Sequence, residues 1–179
     1  MKLYTGVGDR GETVLFDGKH VSKAESRVAA CGDIDELNAA LGFALITGLD
    51  TDLADIVTRV QDDLFAVGAT LADPGAQIAN RVTKAELKAS DVKRLEEWID
   101  RLDSELPPLR SFIVPGGHST GAALHLARAI CRRGERSIVQ LGIEAVPSDL
   151  LRYVNRLSDL LFVLARVANH RRQVPEREW

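Results

Sequence analysis

The chain has 179 residues, 45% of them hydrophobic, 27% charged and only 5% aromatic. That length suits one domain with a substantial core, and a core so poor in aromatics must rest on Leu, Val, Ile and Ala, which favours helices. A net charge of -3 excludes a general nucleic-acid binder, which carries a basic excess, and no apolar run is long enough to cross a bilayer.

The opening MKLYTGVGD lacks the apolar stretch of a secretory signal. Cys31 and Cys131 are isolated, with neither metal-ligand nor disulfide spacing, so a cytoplasmic protein is the simplest expectation. The first stretch, Lys2 to Lys23, shows no helical period and is expected to be a loop. Within it, Thr5-Gly6-Val7-Gly8-Asp9-Arg10-Gly11-Glu12-Thr13 supplies glycines that let backbone amides approach phosphate oxygens. It lacks the Gly-Lys-Ser/Thr ending of a P-loop. A flexible arm with turns is the alternative.

From there the apolar spacing is helical. A first helix runs from about Glu25 to Leu45, with Ala30, Ile34, Leu37, Leu41 and Leu45 on one face. A turn near Gly48 leads to a second helix, Leu53 to Leu71, which stops before Pro74-Gly75. Thr83-Lys84-Ala85-Glu86 matches a capping box and opens a third helix. Its narrow stripe, Val92, Leu95, Ile99, Leu102 and Leu106, makes it the most exposed of the set. Pro107-Pro108 ends it. After Ser111 to Gly117 (SFIVPGG), a fourth helix is expected from about His118 to Leu141 and a fifth from about Ser148 to Arg171. The fifth is apolar nearly all round between Leu157 and Val167, as suits the centre of a bundle or a subunit interface. The expected architecture is an all-α five-helix bundle of ferritin-like type with an irregular N-terminal loop. It forms one domain, 1–179, divided into the loop (1–24), the bundle (25–172) and a tail (173–179).

Arginines crowd the last third of the chain. Arg128, Arg132 and Glu135 stand at i, i+4 and i+7 of the fourth helix and share a face. Two guanidiniums and a carboxylate there suit phosphates with a divalent cation, or else a salt-bridged surface. Asp33-Ile34-Asp35-Glu36 offers carboxylates to an arginine of the fourth helix, or simply complements the helix dipole. Asn155-Arg156-Leu157-Ser158-Asp159 interrupts an apolar helix with polar groups that need partners. The four histidines lack the Glu-x-x-His pattern of a di-iron bundle.

Together, YTGVGDRGET, KAESRVAACGDIDELNAALGFA, FIVPGG, ARAICRRGERSIV and YVNRLSDLLFVLAR resemble, in order and spacing, the PduO-type cobalamin adenosyltransferases. The resemblance implies transfer of the 5′-deoxyadenosyl group of ATP to the cobalt of cob(I)alamin, with tripolyphosphate leaving. It implies a homotrimer with active sites between subunits, and Mg²⁺, and it admits K⁺ as a further cation. An electron-donor reductase and a B12-dependent acceptor enzyme are the further partners it allows.

By position, Thr5, Gly6, Gly8, Asp9, Gly11 and Thr13 would line ATP, with Lys23 reaching the phosphates. Arg132, Glu135, Arg136 and Asn155 match the nucleotide-site block, Glu135 being the residue assigned to the metal. Arg128 matches an arginine paired across the subunit boundary, here with Asp35. Phe112 matches an aromatic below the corrin ring that displaces the lower axial ligand. Three departures stand out: Gly6 in a place often held by Lys, Cys31 where an aromatic is common, and Gly134 in place of Ala. The competing expectations are a nucleotide- or cobalamin-binding module without turnover and a purely structural bundle.

Overall fold

The computed structural model describes residues 4, 6–75 and 86–179. Among these, five helices form the bundle: α1 (Ser26–Leu45), α2 (Thr51–Ala72), α3 (Ala89–Asp103), α4 (Ser119–Val139) and α5 (Ser148–Arg171). α4 packs between α1 and α5, α2 lies against α1, and α3 lies against α5. The i, i+3, i+4 rows expected from the sequence are the rows that are buried, among them Ile34, Leu37 and Leu41 of α1 and Val60, Leu64 and Val67 of α2. α5 is buried around its whole middle, from Leu157 to Ala168 apart from Asp159 and Phe162, and so forms the central helix.

α1 and α4 are antiparallel, because Thr47 meets Thr120 at one end while Asp33 meets Ser137 towards the other. α5 is antiparallel to α4 in turn, with Asn155 beside Glu135 and Asn169 beside His118. One bundle end therefore gathers the starts of α1 and α5 with the finish of α4. The opposite end gathers the start of α4 with the finishes of α1 and α5.

α2, α3 and α5 are joined through one buried carboxylate. Asp63 accepts hydrogen bonds from Arg94 of α3 at 2.6 Å and from Tyr153 of α5 at 2.8 Å, and Arg59 stands 3.3 Å away. At the opposite end, Arg171 makes a two-pronged pair with Asp52 at 2.8 and 2.9 Å and another with Glu105. Arg172 holds Asp50 at 2.8 Å. These pairs tie the finish of α5 to the starts of α2 and of the α3–α4 connection.

Two expectations need correction. The N-terminal stretch is not wholly irregular: Glu12–Val14 (β1) and His20–Ser22 (β2) form a small antiparallel hairpin, whose tip is turned by Gly18 at φ +80°. The third helix begins at Ala89 rather than at the Thr83 capping box. Its start is closed by Asp91, whose carboxylate accepts from the Lys88 N–H at 2.9 Å. Thr83 itself lies outside the described residues. As expected, α3 is the most exposed helix, burying only Val92, Leu95 and Leu102.

Candidate active site

The glycine-rich loop folds onto Lys23. Gly6 and Gly11 both have left-handed φ, +73° and +78°, and bracket a short 3₁₀ turn over Val7–Arg10. The Lys23 ammonium donates to the Gly8 carbonyl at 3.0 Å, and its backbone N–H donates to Gly11 O at 2.8 Å. A Cβ on Gly8 would sit 2.8 Å from Lys23 Nζ, so the missing side chain is what lets the lysine lie against the loop. Thr13, in β1, pairs with Val21 across the hairpin. Gly6, Gly8, Asp9, Gly11, Thr13 and Lys23 thus form one unit near the start of α1, with Gly8 and Thr13 half-buried and the others exposed. Thr5 lies outside the described residues.

The arginines on and just after α4 and α5 fall into an ion-paired set, the pair Arg132 and Arg136, and Arg128, which lies on an aromatic ring. Arg133, Arg152, Arg156, Arg166, Arg171 and Arg172 are all ion-paired with carboxylates of this chain. Arg132 and Arg136 are exposed and, among the described residues, neither makes a hydrogen bond or ion pair. Between them in sequence the Glu135 carboxylate accepts from Asn155 Nδ2 of α5 at 2.8 Å, so α4 carries two free guanidiniums and an oriented carboxylate within five residues. Asp33 and Glu36 serve Arg133, and Ser137 donates to Asp33 at 2.5 Å. The α1 carboxylates therefore orient Arg133, not the arginines assigned to the site.

Asp35 and Arg128 do not meet within one chain. Asp35 is exposed, on a groove between α1 and α2 that also presents Cys31, Asn38, Phe65 and Phe16. Arg128 lies over the Phe162 ring at 5.1 Å and has no carboxylate partner among the described residues. Phe112 is 82% exposed, on the connection between α3 and α4. Its loop ends at Gly117, against Asn169 and the start of α4, whereas the glycine-rich loop precedes the start of α1 at the opposite end. No contact among the described residues joins Phe112 to Arg132, Glu135 or Lys23.

A divalent cation would find one carboxylate here, Glu135. No cluster of three or more Asp, Glu, His or Cys stands together among the described residues. This donor set suits a hard cation that takes most of its oxygens from phosphates and water, rather than an all-protein metal cage.

The profile of the cobalamin adenosyltransferase family matches residues 3–168. The chain belongs to that family. It is 42% identical over 175 residues to the corrinoid adenosyltransferase of Mycobacterium leprae (strain TN), covering 94% of this chain and 91% of that one. With the cobalamin adenosyltransferase of Cupriavidus metallidurans it shares 43% over 170 residues, covering 94% and 88%. The human corrinoid adenosyltransferase is 40% identical over 171 residues, covering 93% and 68%. A variant PduO-type ATP:corrinoid adenosyltransferase from Lactobacillus reuteri, complexed with cobalamin and ATP, superposes with a TM-score of 0.92 at 36% identity over 99% of both chains. Another variant from the same organism, complexed with ATP, gives 0.88 at 37% identity, again over 99% of both.

In this cobalamin adenosyltransferase the surroundings of Phe112 hold residues that sequence reasoning missed. Asn169, 3% exposed, accepts from the His118 N–H at 2.9 Å and donates to Gly116 O at 3.0 Å. Its amide fills the space that Cβ atoms at Gly117 and Gly121 would occupy. The signal was present as glycines at 116, 117 and 121 and an Asn near the finish of α5, but no periodicity pairs them.

Arg166 was also missed. It is 3% exposed and lies on the Phe162 ring at 6.0 Å, on the same aromatic as Arg128. Buried His125 lies beside that ring, and burial, with Arg128 adding to it, pushes its pKa below the usual value. The imidazole is therefore neutral near pH 7.

Proposed function

We propose that this protein transfers the 5′-deoxyadenosyl group of ATP to the cobalt of cob(I)alamin, yielding adenosylcobalamin and tripolyphosphate. The observation that carries the reading is the pair of unpartnered guanidiniums, Arg132 and Arg136, beside the oriented Glu135. The other α4 and α5 arginines are ion-paired, Arg128 excepted, which lies on the Phe162 ring, so Arg132 and Arg136 are free to meet an external anion. Cob(I)alamin supplies the electron pair that attacks C5′, and the C5′–O bond breaks with its electrons leaving on the triphosphate. The protein need supply no nucleophile. Its tasks are to align C5′ with cobalt and to stabilise the charge on the departing chain.

Arg132, Arg136 and Lys23 serve the second task, and the amides of the Gly6–Gly11 turn cradle the phosphates with Asp9 and Thr13 nearby; Thr5 is assigned to the same site by the family pattern alone. Glu135 would be the protein ligand of a Mg²⁺ ion, which would neutralise charge on the triphosphate, and Asn155 holds that carboxylate in place. K⁺ would be a further cation, as the family pattern admits. Phe112, exposed and apolar, suits the lower face of the corrin, where an apolar neighbour in place of the axial ligand eases reduction of cob(II)alamin by a partner reductase. A B12-dependent enzyme would take the product.

We place the active site between subunits of a homotrimer. Two features support this: among the described residues Arg128 has no carboxylate partner while Asp35 stands exposed, and Phe112 makes no contact with the arginine row. Asp35 of one copy would pair with Arg128 of the next. No helix among the described residues is long and apolar enough to cross a membrane, and both cysteines are free thiols.

The test is an anaerobic assay with ATP, Mg²⁺ and chemically reduced cob(I)alamin, following loss of Co(I) absorbance. Turnover dependent on protein and ATP is expected, and Arg132→Ala should lower it by about 100-fold or more, equivalent to ~3 kcal/mol of lost charge stabilisation. Binding of both substrates without turnover would replace the enzyme with a carrier. No ATP binding at all would leave only a structural bundle.

A further inference from the structure

Phe112 poses a positioning problem. Its side chain is 82% exposed, so packing does not fix it, and its place depends on the main chain around it. That main chain is paired to the segment that follows α5. Val114 N donates to Arg177 O at 2.8 Å and Trp179 N donates to Phe112 O at 2.9 Å, with Ile113 and Glu178 forming an antiparallel bridge. Residues 177–179 are thus a short strand laid along 112–114.

The strand has its own anchor in the bundle. After α5 the chain reverses at Gln173, whose φ is +56°, and Val174 N bonds Asn169 O at 3.0 Å. Glu176 then grips Arg166: Nε donates to both carboxylate oxygens, at 2.9 and 3.2 Å, and a second guanidinium nitrogen donates at 3.2 Å. Arg166 also donates to Pro107 O at 3.0 Å, so it holds both the tail and the early part of the α3–α4 connection. A buried guanidinium with these partners is a fixed point, since losing Glu176 would leave its charge only the long pair with Asp103 at 3.7 Å.

We infer that residues 175–179, anchored by Glu176 on Arg166, are a positioning element for Phe112 in adenosyl transfer. The tail sets the lower-face aromatic through main-chain bonds, which is why it need not bury its own side chains. The inference rests on the proposed role of Phe112. It predicts a specific defect. Without the tail, ATP binding and the α4 arginines are untouched, but the aromatic is no longer held where it excludes the lower ligand.

The experiment compares three proteins with the wild type: a chain ending at Val174, full-length Glu176→Ala, and full-length Phe112→Ala. Each is assayed on cob(II)alamin with free reduced flavin as electron donor and on chemically pre-reduced cob(I)alamin. ATP affinity is measured by calorimetry, and the Co(II) coordination state by electron paramagnetic resonance with ATP present.

Expected for the first two variants is a fall in kcat on cob(II)alamin of about 10- to 100-fold, the scale of a misplaced positioning group. The loss on cob(I)alamin should be much smaller, ATP affinity should stay within about twofold, and the resonance should shift towards the lower-ligand-bound form, as for Phe112→Ala. Wild-type rates in the tail variants while Phe112→Ala is impaired would overturn the tail's role and leave that of Phe112 standing. Equal losses on both corrinoid states, with weakened ATP binding, would make the tail merely structural and overturn the inference. An unimpaired Phe112→Ala would remove the role of Phe112 and the inference with it.

Discussion

Two glycines of α4 should respond to the same substitution with opposite signs. In an exposed helix interior, Gly→Ala is stabilising by about 1 kcal/mol from backbone entropy alone. At Gly134 an added Cβ would lie 3.4 Å from Ile34 Cδ1 and 3.5 Å from Asp33 Cβ, ordinary contacts that cost little. Gly134→Ala should therefore stabilise the protein by ~0.5–1 kcal/mol. At Gly121 the added Cβ would lie 2.6 Å from Cγ and 2.7 Å from Nδ2 of Asn169, too close to remain.

Asn169 cannot retreat freely, being 3% exposed and bonded to the 116–118 turn through both amide atoms. Overpacking costs ~1–3 kcal/mol, and two strained hydrogen bonds cost ~0.5–1.5 kcal/mol each. After the propensity gain of about 1 kcal/mol, Gly121→Ala should be destabilised by ~1–5 kcal/mol. Urea unfolding of both variants, followed by circular dichroism, checks the pair. A Gly121→Ala protein at least as stable as Gly134→Ala would refute the argument that the glycine exists to admit the asparagine amide.

Removing the carboxylate that joins α2, α3 and α5 should also be costly. Asp63→Ala leaves the Tyr153 hydroxyl and the Arg94 guanidinium without their acceptor, with an expected loss of ~3 kcal/mol, the low end for a broken buried pair because Arg94 keeps Asp91; denaturant midpoints measure it. Acid should weaken the clamp at the finish of α5. Hydrogen bonds from Arg171 hold the Asp52 carboxyl below its ordinary 3.8, and those from Arg172 do the same for Asp50. Folded values depressed in this way make the stabilisation complete above the unfolded value and lost as pH falls through the folded one. The melting temperature should therefore drop below about pH 4, and less steeply in Asp52→Asn, as scanning calorimetry across pH would show. Burial pushes the Cys131 thiol up to about 12, so iodoacetamide near pH 8 should leave Cys131 unmodified until the protein is unfolded, which peptide mass spectrometry would detect.

Much of this molecule is legible in one dimension. The helices other than α3 begin and end within a residue or two of where apolar spacing and Pro or Gly place them, because a stripe with a 3.6-residue period can be buried in only one way. The α4 residues Arg128, Arg132 and Glu135 share a face for the same reason, and the blocks that carry the family resemblance are local segments in a fixed order. The start of α3 was misplaced because a motif in a loop and a cap on a helix look alike until the backbone chooses.

What sequence alone could not determine is partnership across the chain. Charge and spacing do not say which arginines are free. Only packing assigns Asp33 and Glu36 to Arg133, and Glu176 to Arg166, leaving Arg132 and Arg136 unpaired. Nor does any period bring Asn169 to glycines some fifty residues away in the chain, or lay residues 177–179 beside Phe112. Such contacts depend on where helices of known length cross and turn, and that is settled by the shared core they bury.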